Sequence, residues 1–332
     1  MNQQNIIEGV KFMSKIIYSD YYIPSNTVPA EDILRNSSVF LLVNSSSDIN
    51  TSVDKYISSS GINEVAVEKE LHLINIFSTL ISKMLRENNI APDKIKNIFY
   101  TNYEDYDYND MVSVPYYLQH KFELFNAAVV ILNQNCSSSL QAVRMADALN
   151  KKGEYSLILS SSFQKQEVDR YIDLTILGDG AGIILVGDDS NEGLKIIDSF
   201  GVSDGSASYY SYGINPKIQE DKYALLKLKM ILFDSFKKAI RKTAANYEKW
   251  FSESKYIITS NITNTYMDNY VKDTSKVYVN CDKGHIGDVD ISLNLKKLTD
   301  LNKFEKDDKI VLLALGGDIK STNVTTLFCQ YE

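Results

Sequence analysis

Three features predict an α/β fold built on a mostly parallel sheet. Short apolar runs rich in β-branched residues alternate with longer segments at helical spacing. A comparable series of this kind occurs in each half of the chain. Finally, 332 residues at 44% hydrophobic content suffice for one large domain or two medium ones. Strands repeat every two residues and helices every 3.6, and their regular alternation suits a sheet whose parallel strands are joined by crossover helices.

Taken in order, SVFLLVN (38–44) is expected to be a strand and 65–88 a long helix, with a strand at 94–102 and a helix at 111–124. The strand 127–132, helix 137–151, strand 155–162 and strand 182–188 complete the first series. A join near 188–194 divides the chain into halves of 1–190 and 191–332. The second series has a strand from 195 followed by a Ser/Gly/Tyr-rich loop to 213, a helix over 221–250 and a strand over 256–260. It continues with a helix near 264–272, a strand at 276–281, a helix near 290–300 and a strand at 309–315.

A formal charge of −8 argues against nucleic acid as a partner. The three cysteines, Cys136, Cys281 and Cys329, have no metal-ligand or disulfide-framework spacing, so no metal site is expected. The opening residues lack a signal-peptide core, and no apolar run reaches the roughly 18 residues of a membrane span. A cytoplasmic, reduced protein that does not engage membranes is the expectation.

Chemistry is concentrated in two places. In NAAVVILNQNCSSSLQAVRMADALN (126–150) an apolar strand ends at three amides, meets Cys136 and turns into a helix. A thiol at a helix N-terminus faces unpaired N–H groups that favour thiolate and can hold an oxyanion. Cysteine is also a common buried core residue, and this segment alone leaves both roles open. Of the three histidines, His72 falls in an expected helix and His120 near a helix end, whereas His285 sits in a glycine-flanked loop after a strand. Asp290, five residues on, can orient its imidazole as the third member of a triad does; alternatively Asp290 or Asp288 caps the following helix. The glycine turns LGDGAG (177–182) and ALGGD (314–318) lack the spacing of a dinucleotide or P-loop site.

These segments together, NQNCSSSLQAVRMADALN, GDGAGIILVGD and DKIVLLALGGD, preceded by YYIPSNTVPAEDIL, resemble the thiolase-superfamily condensing enzymes. The likeness is greatest to 3-oxoacyl-[acyl-carrier-protein] synthase III and its acyltransferase relatives. The resemblance implies a thiolase-like five-layer αβαβα fold of two similar halves in a homodimer. It implies that Cys136 carries an acyl group as a thioester and that the N–H groups of Cys136 and Gly317 form the oxyanion hole. Condensing members have a histidine in an HQAN-like motif and an asparagine in a GNTS-like motif. Here SNIT (260–263) and GHIG (284–287) stand in those places, so Ser260 replaces the histidine and His285 the asparagine. GHIGDVDISLNL instead fits the GHxxxxDxxxNL pattern of acyltransferases that use Cys, His and Asp to form C–O or C–N bonds.

The reading that follows is an acyltransferase of specialised-metabolite biosynthesis with Cys136, His285 and Asp290 as its catalytic residues. It takes an acyl group from an acyl carrier protein or coenzyme A thioester, without a cofactor, and passes it to a hydroxyl or amine. A decarboxylative C–C-forming synthase and a non-catalytic partner subunit are the alternatives. Lys237, Lys238, Arg241 and Lys242 form a basic helix face, either a carrier-protein docking site or an ordinary solvated face. YTNYEDYDYND (100–110) either lines a polar acceptor pocket or forms a surface or dimer-contact loop. Trp250, the sole tryptophan, lies too late in the chain to match the coenzyme A adenine clamp of some relatives.

Overall fold

The structure, a computed structural model, describes residues 13–102, 112–164, 169–172, 174–188, 192–211, 222–318 and 321–332. Its first series contains β1 (Lys15–Tyr22), β2 (Thr27–Pro29), α1 (Ala30–Asn36), α2 (Ser38–Val43), α3 (Ile49–Ser60), β3 (Glu64–Ala66) and α4 (Leu73–Asn88). It continues with β4 (Ile95–Asn102), α5 (Val114–Lys121), β5 (Ala128–Leu132), α6 (Ser138–Leu149), β6 (Tyr155–Ser162) and β7 (Gly180–Gly187). The second series contains β8 (Leu194–Asp204), α7 (Ser206–Ser211), α8 (Lys222–Asn246), α9 (Glu248–Glu253), β9 (Tyr256–Thr259) and β10 (Val277–Tyr278). It ends with α10 (Val289–Asp300), β11 (Lys309–Gly317) and β12 (Thr322–Tyr331).

The sheet order is β10-β9-β11-β12-β8-β1-β7-β6-β4-β5. Numbered within its own half, each run of five strands has the same spatial order, third-second-fourth-fifth-first. The pairings match as well. β4 pairs in parallel with β5 and β6, as β9 does with β10 and β11, and the next two strands of each half run antiparallel. The halves join through a short antiparallel β1–β8 pairing, Lys15 with Lys195 and Ile16 with Leu194.

Strand alternation produces the layers. Leu157, Leu159, Ile183 and Leu185 face an outer core with α4, whereas Ile158, Ile184 and Val186 face the middle with Leu140 and Val143 of α6. In the second half Leu313 and Leu315 meet Phe236 and Ile240 of α8, while Leu312 and Ala314 face the middle with Ile291 and Leu295 of α10. Strands apolar on both faces require cover on both. Helices α6 and α10 touch each other and pack on strands of both halves, giving five layers, α-β-α-β-α.

Several elements differ from the sequence reading. Residues 38–43 form a helix, because the Ser37 hydroxyl accepts from the Phe40 amide and only Phe40 of the run is buried. The expected helix 65–88 begins at Leu73; Glu64–Ala66 pair with β2, and His72 occupies the N-cap position. The expected helix near 264–272 is a single 3₁₀ turn at Tyr266–Asn269, and the strand at 276–281 contracts to two residues. The first residues of the 195–213 loop segment extend β8 and then form α7. Residues 103–110 of the acidic tyrosine run lie outside the described residues. Among the described residues no helix is long and apolar enough to cross a membrane.

Candidate active site

The third strand of each half leads into a middle-layer helix, β5 into α6 and β10 into α10. Cys136 lies in the first connection and His285 in the second, so the fold brings corresponding points of the two halves together. Asn135, immediately before the cysteine, is left-handed with φ 52°, a conformation asparagine tolerates better than most residues. The Ser138 hydroxyl accepts from the Gln134 amide at 2.7 Å and donates to the Asn135 carbonyl at 2.6 Å, fixing the bend. Gly316 backs against it: a Cβ there would stand 2.2 Å from the Gln134 carbonyl oxygen and 2.7 Å from the Ser137 nitrogen. Cys136 is 4% exposed.

His285 is held by its backbone and its ring. Its N–H donates to the Ile176 carbonyl and its own carbonyl accepts from Gly178, both at 2.9 Å, so the LGDGAG turn supports it. Two residues on, Gly287 (φ 54°) faces the thiol, and a Cβ there would be 3.7 Å from Cys136 Sγ. Nδ1 of His285 lies 2.5 Å from Oδ2 of Asp290, which also accepts from the Asn261 amide at 2.6 Å. The other oxygen of Asp290 accepts from the Ile286 amide at 2.9 Å. Fully buried and triply bonded, this carboxylate fixes the tautomer and leaves Nε2 for the thiol.

Burial opposes a charge on His285, but Asp290 and then Cys136 outweigh it and raise the imidazole pKa well above its ordinary range. The expectation of a depressed thiol pKa is corrected. Burial pushes the Cys136 thiol up, the charge and hydrogen bond of His285 only partly offset it, and Asp288 and Asp290 add to the rise. One of the α6 amides expected to favour thiolate, that of Ser139, donates to Asp288 at 2.9 Å. The capping alternative for the two aspartates also fails: Asp288 occupies the N-cap position of α10 without capping it, and Asp290 bonds to a preceding amide.

Ser260 is buried, and its hydroxyl accepts from the Leu315 amide at 3.2 Å, tying the end of β9 to the strand that carries Gly316 and Gly317. A Cβ on Gly317 would meet Phe236 of α8. Asn294 donates to the Thr259 carbonyl and to the Asn261 side chain, bracing the segment that bonds Asp290. Asn261 and Gly316 were not singled out from sequence, Asp288 was weighed only as a helix cap, and Asn294 entered only as the asparagine of the GHxxxxDxxxNL pattern.

His72 and His120 lie elsewhere on exposed positions. Lys237, Lys238, Arg241 and Lys242 are exposed on α8, with Lys238 paired to Asp234 at 2.5 Å. Lys237 and Arg241 line a cleft of about 780 Å³ with Met230, Phe233, Tyr266 and Tyr270. Trp250 packs on Phe328. Among the described residues no cluster of ligating side chains suits a metal ion.

No family model matches the chain. It is 24% identical over 328 residues to the β-ketoacyl-[acyl-carrier-protein] synthase III of Clostridium acetobutylicum, covering 92% of this chain and 95% of that protein. The 3-oxoacyl-[acyl-carrier-protein] synthase III of Aquifex aeolicus superposes with a TM-score of 0.70 at 19% identity, covering 95% and 99% of the two chains. The acyltransferase ChlB3 superposes with a TM-score of 0.74 at 15% identity, covering 95% and 97%. The fold is thiolase-like.

Proposed function

We propose that the chain is an acyltransferase that forms a thioester on Cys136 and transfers the acyl group to a hydroxyl or amine. The observation that carries this reading is the buried Cys136, His285 and Asp290 set, with a serine that bonds backbone at the position where the resemblance puts the histidine of condensing relatives. The name of the structurally similar ChlB3 agrees with it.

In the first step the Cys136 sulfur attacks the donor's thioester carbonyl, and the N–H groups of Cys136 and Gly317 hold the oxyanion. The donor thiolate leaves with the proton from His285. Giving that proton to the leaving group returns the imidazole to its neutral form, so the ring becomes available as base. In the second step an acceptor O–H or N–H gives its proton to His285 while its heteroatom attacks the Cys136 thioester. An ester or amide forms, and the leaving Cys136 sulfur takes back a proton from the imidazolium.

The donor in this reading is an acyl carrier protein or coenzyme A thioester. Lys237, Lys238 and Arg241 are the carrier-protein docking face, on a protein acidic elsewhere. The chain works as a homodimer: among the described residues β5 ends the sheet, and its Ile131 and the nearby Phe125 are 57% and 63% exposed, an edge that a second copy would cover. The division near residue 190 separates the half bearing the nucleophile from the half bearing its base.

The names of the curated relatives favour a second reading, decarboxylative C–C bond formation. Incubation with malonyl- and simple acyl-donors separates the two. Acyl transfer to an alcohol or amine without CO2 release supports the first, and stoichiometric CO2 with a β-ketoacyl product overturns it.

A further inference from the structure

Asp288 has no part in the steps above, yet it lies fully buried at the junction of the two central helices. It stands where a cap for α10 is expected and instead reaches across to α6, where Oδ1 accepts from the Ser139 amide at 2.9 Å. Its Oδ2 is buried without a hydrogen-bond partner among the described residues, and so is the Ser139 hydroxyl. The groups around it are Ser138 and Ser139 from α6 and Thr101 from β4, and the Cys136 thiol ahead of α6 feels Asp288 together with His285 and Asp290. A buried carboxylate with one open oxygen and, among the described residues, no salt-bridge partner is expensive unless it serves the site.

A helix N-terminus carries roughly half a positive charge and favours a thiolate placed on it. A full negative charge on the same first turn more than cancels that field. We propose that Asp288 is a positioning residue for the nucleophile: it anchors the first turn of α6 and, by its charge, holds the resting Cys136 in the less reactive thiol form.

Burial pushes the Asp288 carboxyl up to about 7, against the hydrogen bond from the Ser139 amide that pulls it down. Its charge therefore changes near neutral pH. With Asp288 protonated, the α6 N-terminus and the His285 imidazolium act on the thiol unopposed by it. With Asp288 ionised, the thiolate is suppressed.

The inference rests on the proposed function only in taking Cys136 as the nucleophile, and thiol alkylation tests it without any acyl donor. Iodoacetamide labelling of Cys136, read by peptide mass mapping between about pH 6 and 9, compares wild type with Asp288→Asn, which keeps an acceptor for Ser139 but loses the charge. The expected result is labelling about three- to tenfold faster near neutral pH in the variant, its profile displaced to lower pH. Superimposed profiles in a folded variant overturn the proposal and leave Asp288 a structural cap. Should Asp288→Asn not fold, Asp288→Ser keeps a hydroxyl acceptor and is read in the same way. A shifted labelling profile without any acyl adduct would leave this inference standing while the transferase reading falls.

Discussion

Nδ1 of His285 lies 2.5 Å from Oδ2 of Asp290, and both side chains are sealed from solvent. The carboxylate is itself fixed by the amides of Asn261 and Ile286, so the ring cannot turn without breaking a buried network. Asp290→Asn replaces the acceptor by a group that can donate, and the wrong tautomer follows. The expected outcome is that Cys136 still acquires the acyl group, more slowly, with transfer slowed about 10²–10⁴-fold. Decay of the acyl-enzyme on addition of a primary alcohol or amine, followed by mass spectrometry, measures it.

The transfer step needs neutral imidazole. Asp290 holds the His285 pKa above its ordinary value despite burial, so single-turnover transfer rises with pH through a limb above about 6.5. In Asp290→Asn that limb moves to lower pH. Stability has the opposite sign: the raised pKa contributes fully below the unfolded value of about 6.5 and is lost as pH rises through the folded value. A pH–rate profile and a pH series of denaturant unfolding check the two halves of this prediction.

Gly316 admits no side chain, because a Cβ would collide with Gln134 and Ser137 on either side of the nucleophile. Gly316→Ala is expected to displace the bend and slow acylation at least about 100-fold, since misplacement by an ångström costs that much. Gly205→Ala, where a Cβ meets nothing within 4 Å, is the control and leaves the rate unchanged. Stopped acylation time courses distinguish them.

Ser260→Ala removes the acceptor of the buried Leu315 amide. An orphaned buried amide costs about 1–3 kcal/mol. The expected outcome is that loss in urea unfolding, with acylation slowed because β11 carries Gly316 and Gly317.

The exposed cations of α8 separate the two donors. Lys237→Glu with Arg241→Glu is expected to raise KM for an acyl carrier protein donor about tenfold or more, with little change for acyl-coenzyme A. Equal effects on both donors, measured in parallel at low salt, would remove these residues from a docking role.

The parts of the fold that sequence made legible are those with long apolar periods. β6 and β11 are buried along most of their length, and α6 and α10 follow directly from cysteine- and glycine-bearing connections. Strands β1 and β12 escaped notice: KIIYSDYY mixes tyrosines with charges, and TNVTTLFCQY carries threonines that bury without looking apolar. The run at 38–44 was misleading because apolarity without length does not distinguish strand from helix, and Ser37 decided the matter. At the site, Cys136 and His285 stood out through residue scarcity and glycine context. The bonds from Asn261 to Asp290, Ser260 to Leu315 and Asp288 to Ser139 span 29, 55 and 149 residues, and no local pattern announces them.

Intact mass of the protein after mixing with acyl-coenzyme A and acyl carrier protein donors tests the central claim most directly. The account predicts one acyl-sized gain in wild type, none in Cys136→Ala, and a gain that persists in His285→Ala when an alcohol or amine is added. A folded wild type that gains nothing from either donor, or a Cys136→Ala protein that gains the same mass, would contradict it.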